Sequence, residues 1–172
     1  KGLIIVNTGD GKGKSTASFG LALRAAGNKM NVFIMQFMKG PWKAGERKAL
    51  KGLSSYVKYE AMGDGFTWDT ENTEQDKKTA RNAFEIAKEK LMSGKYQMII
   101  LDEINYVLDY KFFPLDEFLE TLRNKPKDVH VVCTGRNAQE KLIEMADLVT
   151  EMKLIKHPYD GQGIPAQKGI EF

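Results

Sequence analysis

Apolar residues along this chain fall into short continuous runs, and between the runs they recur every three or four positions. That alternation predicts buried strands separated by amphipathic helices. Leu3-Ile4-Ile5-Val6 is the first run. It passes through a glycine-rich stretch into residues 14 to 27, where Ala17, Phe19, Leu21, Leu23, Ala25 and Ala26 predict a helix packed on a sheet and ended by Gly27-Asn28. Asn31 to Phe37 reads as a second strand, Gly45 to Gly52 as a helix and Val57 to Met62 as a third strand. Thr73 and Asp76 have capping-box spacing, and Ala80, Ala83, Phe84, Ala87 and Leu91 form the stripe of a long helix.

Met98-Ile99-Ile100-Leu101 is a central strand ending in Asp102-Glu103. Leu115, Phe118, Leu119 and Leu122 mark a further helix stopped by Lys125-Pro126, and Val129 to Thr134 is another core strand. Asn137 with Glu140 predicts a capped helix through about Met145, followed by a last strand from Leu148 to Ile155. The tail from His157 to Phe172 carries three glycines and two prolines and reads as irregular. Strands alternating with helices predict an α/β fold, a mostly parallel sheet with helices on both faces. At 172 residues the chain has material for one good core, so residues 1–172 are expected to form a single domain.

The stretch that gives this pattern chemistry is Thr8-Gly9-Asp10-Gly11-Lys12-Gly13-Lys14-Ser15-Thr16, set between the first strand and the first helix. Glycines at 9, 11 and 13 let the backbone turn sharply and aim N–H groups at one point beside the positive end of a helix dipole, which suits a polyphosphate. Lys14 adds a cation and Ser15 a hydroxyl placed to ligate Mg²⁺. The loop departs from the standard G-x-x-x-x-G-K-[ST] pattern at one position, where Thr8 replaces the first glycine. In phosphate-loop proteins a strand ending in acidic residues lies beside the first strand, so Asp102 and Glu103 are expected to come to the metal held by Ser15.

Gly63-Asp64-Gly65-Phe66-Thr67-Trp68 follows a strand, where parallel sheets place their ligand loops, and its aromatics read either as ligand contacts or as core packing. Arg24 reads either as a surface residue or as a second cation reaching the nucleotide. His157 lacks partners at metal-ligand spacing and reads as structural.

Charge and composition narrow the partners. Lys+Arg 26 against Asp+Glu 23 gives +3, too weak and too interspersed for a nucleic-acid surface. The single cysteine, Cys133, lies in an apolar run and suits a reducing cytoplasm. No apolar stretch approaches the roughly 18 residues of a membrane span, and no signal peptide is recognisable, so no membrane partner is expected.

Together these residues resemble the phosphate-loop type of ATP:corrinoid adenosyltransferase over nearly the whole chain. The carriers are the loop 8–16, Gly65-Phe66-Thr67-Trp68, Leu101-Asp102-Glu103, Thr134-Gly135-Arg136, and the ending from Lys156-His157-Pro158 to Lys168-Gly169-Ile170-Glu171-Phe172. That family also lacks the first glycine. Some members carry Asn where this chain has Asp10, and many carry Thr at the position of Ser15.

The resemblance implies a RecA-like fold and a reaction in which the Co(I) of a cobalamin or cobinamide-type corrinoid attacks C5′ of ATP and triphosphate leaves. It implies ATP contacts from Gly9, Asp10, Gly11, Lys12, Gly13, Lys14, Ser15, Thr16 and Arg24, with Lys14 and Glu103 carrying the chemistry. Ser15 and Glu103, supported by Asp102, would hold Mg²⁺, and Phe66 with Trp68 would cover the lower face of the corrin. An electron-donor protein such as a flavodoxin and a homodimer are implied in the same way. The rival classes are a phosphate-loop ATPase or small-molecule kinase, which would release ADP, and a RecA-like nucleic-acid motor.

Overall fold

A computed structural model describes residues 1–38, 45–62 and 73–171. Among these residues six parallel strands form one sheet in the order β3-β2-β4-β5-β1-β6. They are β1 (Ile4–Thr8), β2 (Val32–Gln36), β3 (Val57–Ala61), β4 (Met98–Asp102), β5 (His130–Thr134) and β6 (Leu148–Glu151). The helices are α1 (Lys14–Gly27), α2 (Gly45–Lys51), α3 (Thr73–Met92), α4 (Ile104–Asp109), α5 (Leu115–Arg123), α6 (Glu140–Met145) and α7 (Pro158–Gln162).

Successive side chains of a strand point to opposite faces, and the core divides accordingly. Ile4, Val6, Phe33, Met35, Ile99, Leu101, Val131 and Cys133 pack with the predicted α3 stripe and with α4, α5 and Leu142 of α6. Ile5, Ile34, Ile100 and Val132 pack with Phe19, Ala22, Ala25 and Ala26 of α1 and Leu50 of α2. Burial of Cys133 pushes its thiol up to about 12, so it is an inert core residue. A polar link fixes α1 against the sheet: Asn7 Nδ2 donates to Ser18 Oγ at 3.0 Å, and Ser18 Oγ donates to the Lys14 carbonyl at 3.0 Å.

The structure corrects four sequence expectations. The acidic strand β4 is not beside β1, because β5 lies between them and pairs in parallel with both. The interposed strand brings its own C-terminal end, Thr134-Gly135-Arg136, between the glycine loop and the carboxylates. Helix α1 is not enclosed on nearly every side, since Thr16, Ala17, Gly20, Leu23 and Arg24 are exposed.

Asn137 does not cap α6. It sits at φ 52° and its amide donates to Asp109 Oδ2 at 2.8 Å, while α6 begins after Gln139 with no side-chain cap. The last strand ends at Glu151, because beyond the segment tied to β1 the chain turns to pack on the glycine loop. Helix α4, directly after Glu103, is too short to show a full apolar period in sequence. Among the described residues no helix is long and apolar enough to cross a membrane.

Candidate active site

Thr8 is the last residue of β1, so the glycine loop begins at Gly9 and the missing first glycine has a structural cause. No left-handed backbone is required at position 8, and the threonine hydroxyl accepts the Ala138 N–H at 3.2 Å, tying β1 to the segment after β5. Gly9 at φ 92° and Gly13 at φ 110° take the left-handed conformations that favour glycine.

Gly11 is needed for a different reason. A Cβ there would lie 2.6 Å from the Met152 carbonyl oxygen, and the Gly11 N–H donates to that same oxygen at 2.6 Å. The backbone after β6 therefore forms the outer wall of the loop, and the Gly11 amide is engaged by the protein itself.

Lys14 opens α1 and is buried, its Nζ donating to the carbonyls of Gly9 at 2.8 Å and Gly11 at 2.7 Å. Burial lowers its pKa, and the Glu103 carboxylate partly offsets that effect. Glu103 stands at the end of β4 with φ 61°, an unusual conformation for a non-glycine residue. Its N–H donates to Thr134 Oγ1 at 2.9 Å, and Thr134 Oγ1 donates to Asp102 Oδ1 at 2.9 Å. One hydroxyl thus fixes both carboxylate residues.

Asp102 is fully buried and its second oxygen accepts from Gln36 Nε2 at 3.1 Å. Burial raises its pKa, opposed by hydrogen bonding from Ser15, Thr134 and Gln36. Glu103 is raised to about 7, first by burial and then by the nearby Asp102 charge, against the pull of Lys14 and Arg136. Glu103 Oε2 is buried without a hydrogen-bond partner among the described residues.

These atoms fit Mg²⁺. Mg²⁺ takes hard oxygen ligands and keeps several waters, so a carboxylate and a hydroxyl from the protein suffice beside substrate phosphates. The unpartnered Glu103 oxygen and the Ser15 hydroxyl match that description. Asp102 has both oxygens engaged and suits a supporting place. No group of three or more His, Cys, Asp or Glu that could hold a metal occurs among the described residues.

Gly135 is at φ 125°, and a Cβ there would meet Asn105 Cβ at 3.0 Å, Glu103 Oε2 at 3.1 Å and Tyr106 at 3.3 Å. Gly135→Ala is therefore expected to displace the Glu103 carboxylate and to lower stability by about 1–3 kcal/mol. Turnover and melting temperature should fall together, and wild-type values of both would show that the site yields without cost.

The chain matches the model of a protein family described as ATP:corrinoid adenosyltransferase BtuR/CobO/CobP over residues 1–172. The chain belongs to the ATP:corrinoid adenosyltransferase family. Among relatives of this family, the corrinoid adenosyltransferase of Sinorhizobium sp. is 48% identical, with the alignment covering 100% of this chain and 81% of the relative. That of Escherichia coli K12 is 41% identical over 100% of this chain and 86% of the relative. Corrinoid adenosyltransferase CobA of Salmonella typhimurium is 40% identical with the same coverage, 100% and 86%. Among solved structures, the flagellar accessory protein FlaH from Methanocaldococcus jannaschii shares the fold at TM-score 0.57 and 17% identity, covering 87% of this chain and 70% of that one.

Of the residues that the adenosyltransferase resemblance singles out, the fold brings Gly9 to Ser15, Asp102 and Glu103 to one end of the sheet. Arg24 is exposed on α1, ten residues beyond Lys14 and hence roughly 15 Å along the helix. Phe66 and Trp68 lie outside the described residues.

Arg136, to which sequence reasoning gave no role, lies at the candidate site: its Nε is 3.7 Å from Asp10 Oδ1, and its charge acts on both Lys14 and Glu103. Gln36 gave no sequence signal, and Thr134 only its place in the Thr134-Gly135-Arg136 carrier, because each is an ordinary polar residue at a strand end. Only the sheet order reveals them. His157 accepts the Tyr159 N–H at the start of α7, in keeping with a structural histidine.

Proposed function

We propose that this chain transfers the 5′-deoxyadenosyl group of ATP to the Co(I) of a cobalamin or cobinamide-type corrinoid and releases triphosphate. The reading is supported by a full-length family match on a site built to stabilise negative charge. The cobalt electron pair forms a bond to C5′, the C5′–O bond breaks, and triphosphate leaves with its electrons while cobalt becomes formally Co(III). The nucleophile comes from the substrate, so the protein's tasks are alignment and charge stabilisation.

Lys14, Lys12, the loop amides of Gly9, Asp10 and Gly13, and Arg136 would bear on the developing charge of the leaving group. Ser15, Thr16 and Glu103 complete the phosphate end, with Ser15 and Glu103 as Mg²⁺ ligands and Asp102 behind them. The ion, when bound, supplies Lewis-acid neutralisation of phosphate oxygens. The resemblance implies a phosphate contact for Arg24, but its place in the last turn of α1, roughly 15 Å along the helix from Lys14, sets it apart from the phosphate end built by Lys14 and Ser15.

Phe66 and Trp68 are proposed to cover the lower corrin face and exclude the lower cobalt ligand, easing reduction of Co(II) by a flavodoxin-like donor. The double change Phe66→Ala, Trp68→Ala should then depress turnover from Co(II) substrate far more than from chemically reduced Co(I), at unchanged melting temperature. Equal losses leave the loop a plain binding surface. A loss of roughly 3–5 kcal/mol in stability would instead mark the rings as core.

We place the enzyme in the cytoplasm as a homodimer. The reaction itself is tested by separating the phosphate products made from ATP and reduced corrinoid. Triphosphate is expected, and ADP would favour an ATPase or kinase.

A further inference from the structure

The last turn of the chain lies against the phosphate loop. Lys12 Nζ and Glu171 Oε2 are 2.9 Å apart, with Lys12 half exposed and the Glu171 side chain only 19% exposed. Glu171 sits in a local turn: its N–H donates to the Gln167 carbonyl at 2.9 Å, and Gly169 within the turn takes φ 82°. The same C-terminal stretch is anchored at its other end by the Gly11 N–H bond to Met152. The carboxylate is thus the more enclosed partner of the pair and the lysine the more exposed one.

Lys12 is a loop cation, and every anion that binds this loop competes for it. A carboxylate already seated on its ammonium must be left behind, or its charge tolerated, when a polyphosphate arrives. We propose that Glu171 is a positioning residue that competes with triphosphate for Lys12, weakening the loop's hold on polyphosphate so that the leaving group departs after transfer. The proposal rests on the reading of Lys12 as a phosphate contact. Its chemistry is an exchange of ion pairs with no bond made or broken: triphosphate displaces Glu171 on binding, and Glu171 recaptures Lys12 on release. An ion pair whose ammonium is half exposed contributes little to stability, which suits a contact that must break in each cycle.

The test is calorimetric titration of inorganic triphosphate with Mg²⁺ into the full chain, its Glu171→Gln and Lys12→Ala variants, and the double variant. Glu171→Gln should bind triphosphate about two- to fivefold more tightly, and triphosphate should inhibit its turnover more strongly by the same factor. The KM for corrinoid should stay unchanged. In the Lys12→Ala background the Glu171 substitution should have no effect on triphosphate binding.

Unchanged or weaker binding by Glu171→Gln would overturn the proposal, as would an equal gain with and without Lys12, since the carboxylate would then act on the site as a whole. A melting temperature within a degree or two of wild type assigns the change to charge and not to unfolding of the tail. If wild-type protein itself fails to bind triphosphate, the phosphate-site reading fails first, an outcome separate from a wild-type protein that binds and a Glu171 variant that does not differ.

Discussion

Lys14→Ala is expected to lower ATP affinity and turnover by roughly ten- to a hundredfold, the loss of a charge-assisted contact of about 1.5–3 kcal/mol. Lys14 is buried at the first residue of α1, where its ammonium is held by the carbonyls of Gly9 and Gly11. Those carbonyls orient the cation within the loop, so little side-chain entropy remains to be lost when phosphate oxygens arrive. Burial also lowers its pKa, which marks the charged form as costly in the absence of an anion and well matched to one. The loop does not depend on the lysine alone, because the Gly11 N–H bond to Met152 holds its outer side. Affinity should therefore fall far more than melting temperature. Wild-type ATP binding and turnover in Lys14→Ala would remove the loop from the reaction.

Glu103→Gln is expected to weaken the Mg²⁺ dependence of activity while raising the stability of the metal-free protein at alkaline pH. The carboxyl pKa is raised in the folded protein from the usual 4.5 to about 7. Folding therefore favours the protonated form. Below about pH 4.5 the group costs nothing; as pH rises from there through 7 the folded state is progressively destabilised, by up to the order of 3 kcal/mol, and the cost persists above 7.

Glutamine keeps the shape and has no charge to bury, so the variant should melt higher than wild type at pH 8 with chelator present and equally at pH 4.5. The backbone strain at φ 61° is common to both forms and cancels in the comparison. A Mg²⁺ titration of activity identical to wild type would show that this carboxylate is not at the metal. A pH-independent difference in melting temperature would show that its burial is not the cause of the instability.

Most of the fold was legible because β1, β2, β4 and β5 are buried on both faces and read as continuous apolar runs, while α3 and α5 carry clear one-sided stripes. Ala80, Ala83, Phe84, Ala87 and Leu91 are all buried as their spacing predicts. The glycine loop and Asp102-Glu103 were legible because local backbone demands and strand-end position are written in adjacent residues. Sheet order was not.

That β5 separates β1 from β4 depends on long-range pairing, and with it the arrival of Thr134 and Arg136 at the carboxylates. Asn137 misled for a related reason: the helix-capping spacing to Glu140 is local, but its side chain is taken by Asp109, 28 positions away. The wall that Met152 and Lys153 raise against Gly9 and Gly11 likewise has no local signal, since the glycines look the same whether a phosphate or a peptide backbone approaches them.

Adenosyl transfer requires that the bond broken lie at C5′ of the nucleotide and not at its γ-phosphate. It is tested most directly with ATP carrying carbon-13 at C5′, incubated with the protein, Mg²⁺ and chemically reduced cob(I)alamin in the dark, and followed by carbon-13 NMR and the visible spectrum. The label should move to a light-sensitive cobalt–carbon resonance in step with loss of the Co(I) spectrum and release of triphosphate. Label retained in the ribose of ADP, with the Co(I) spectrum unchanged by the protein, would contradict it.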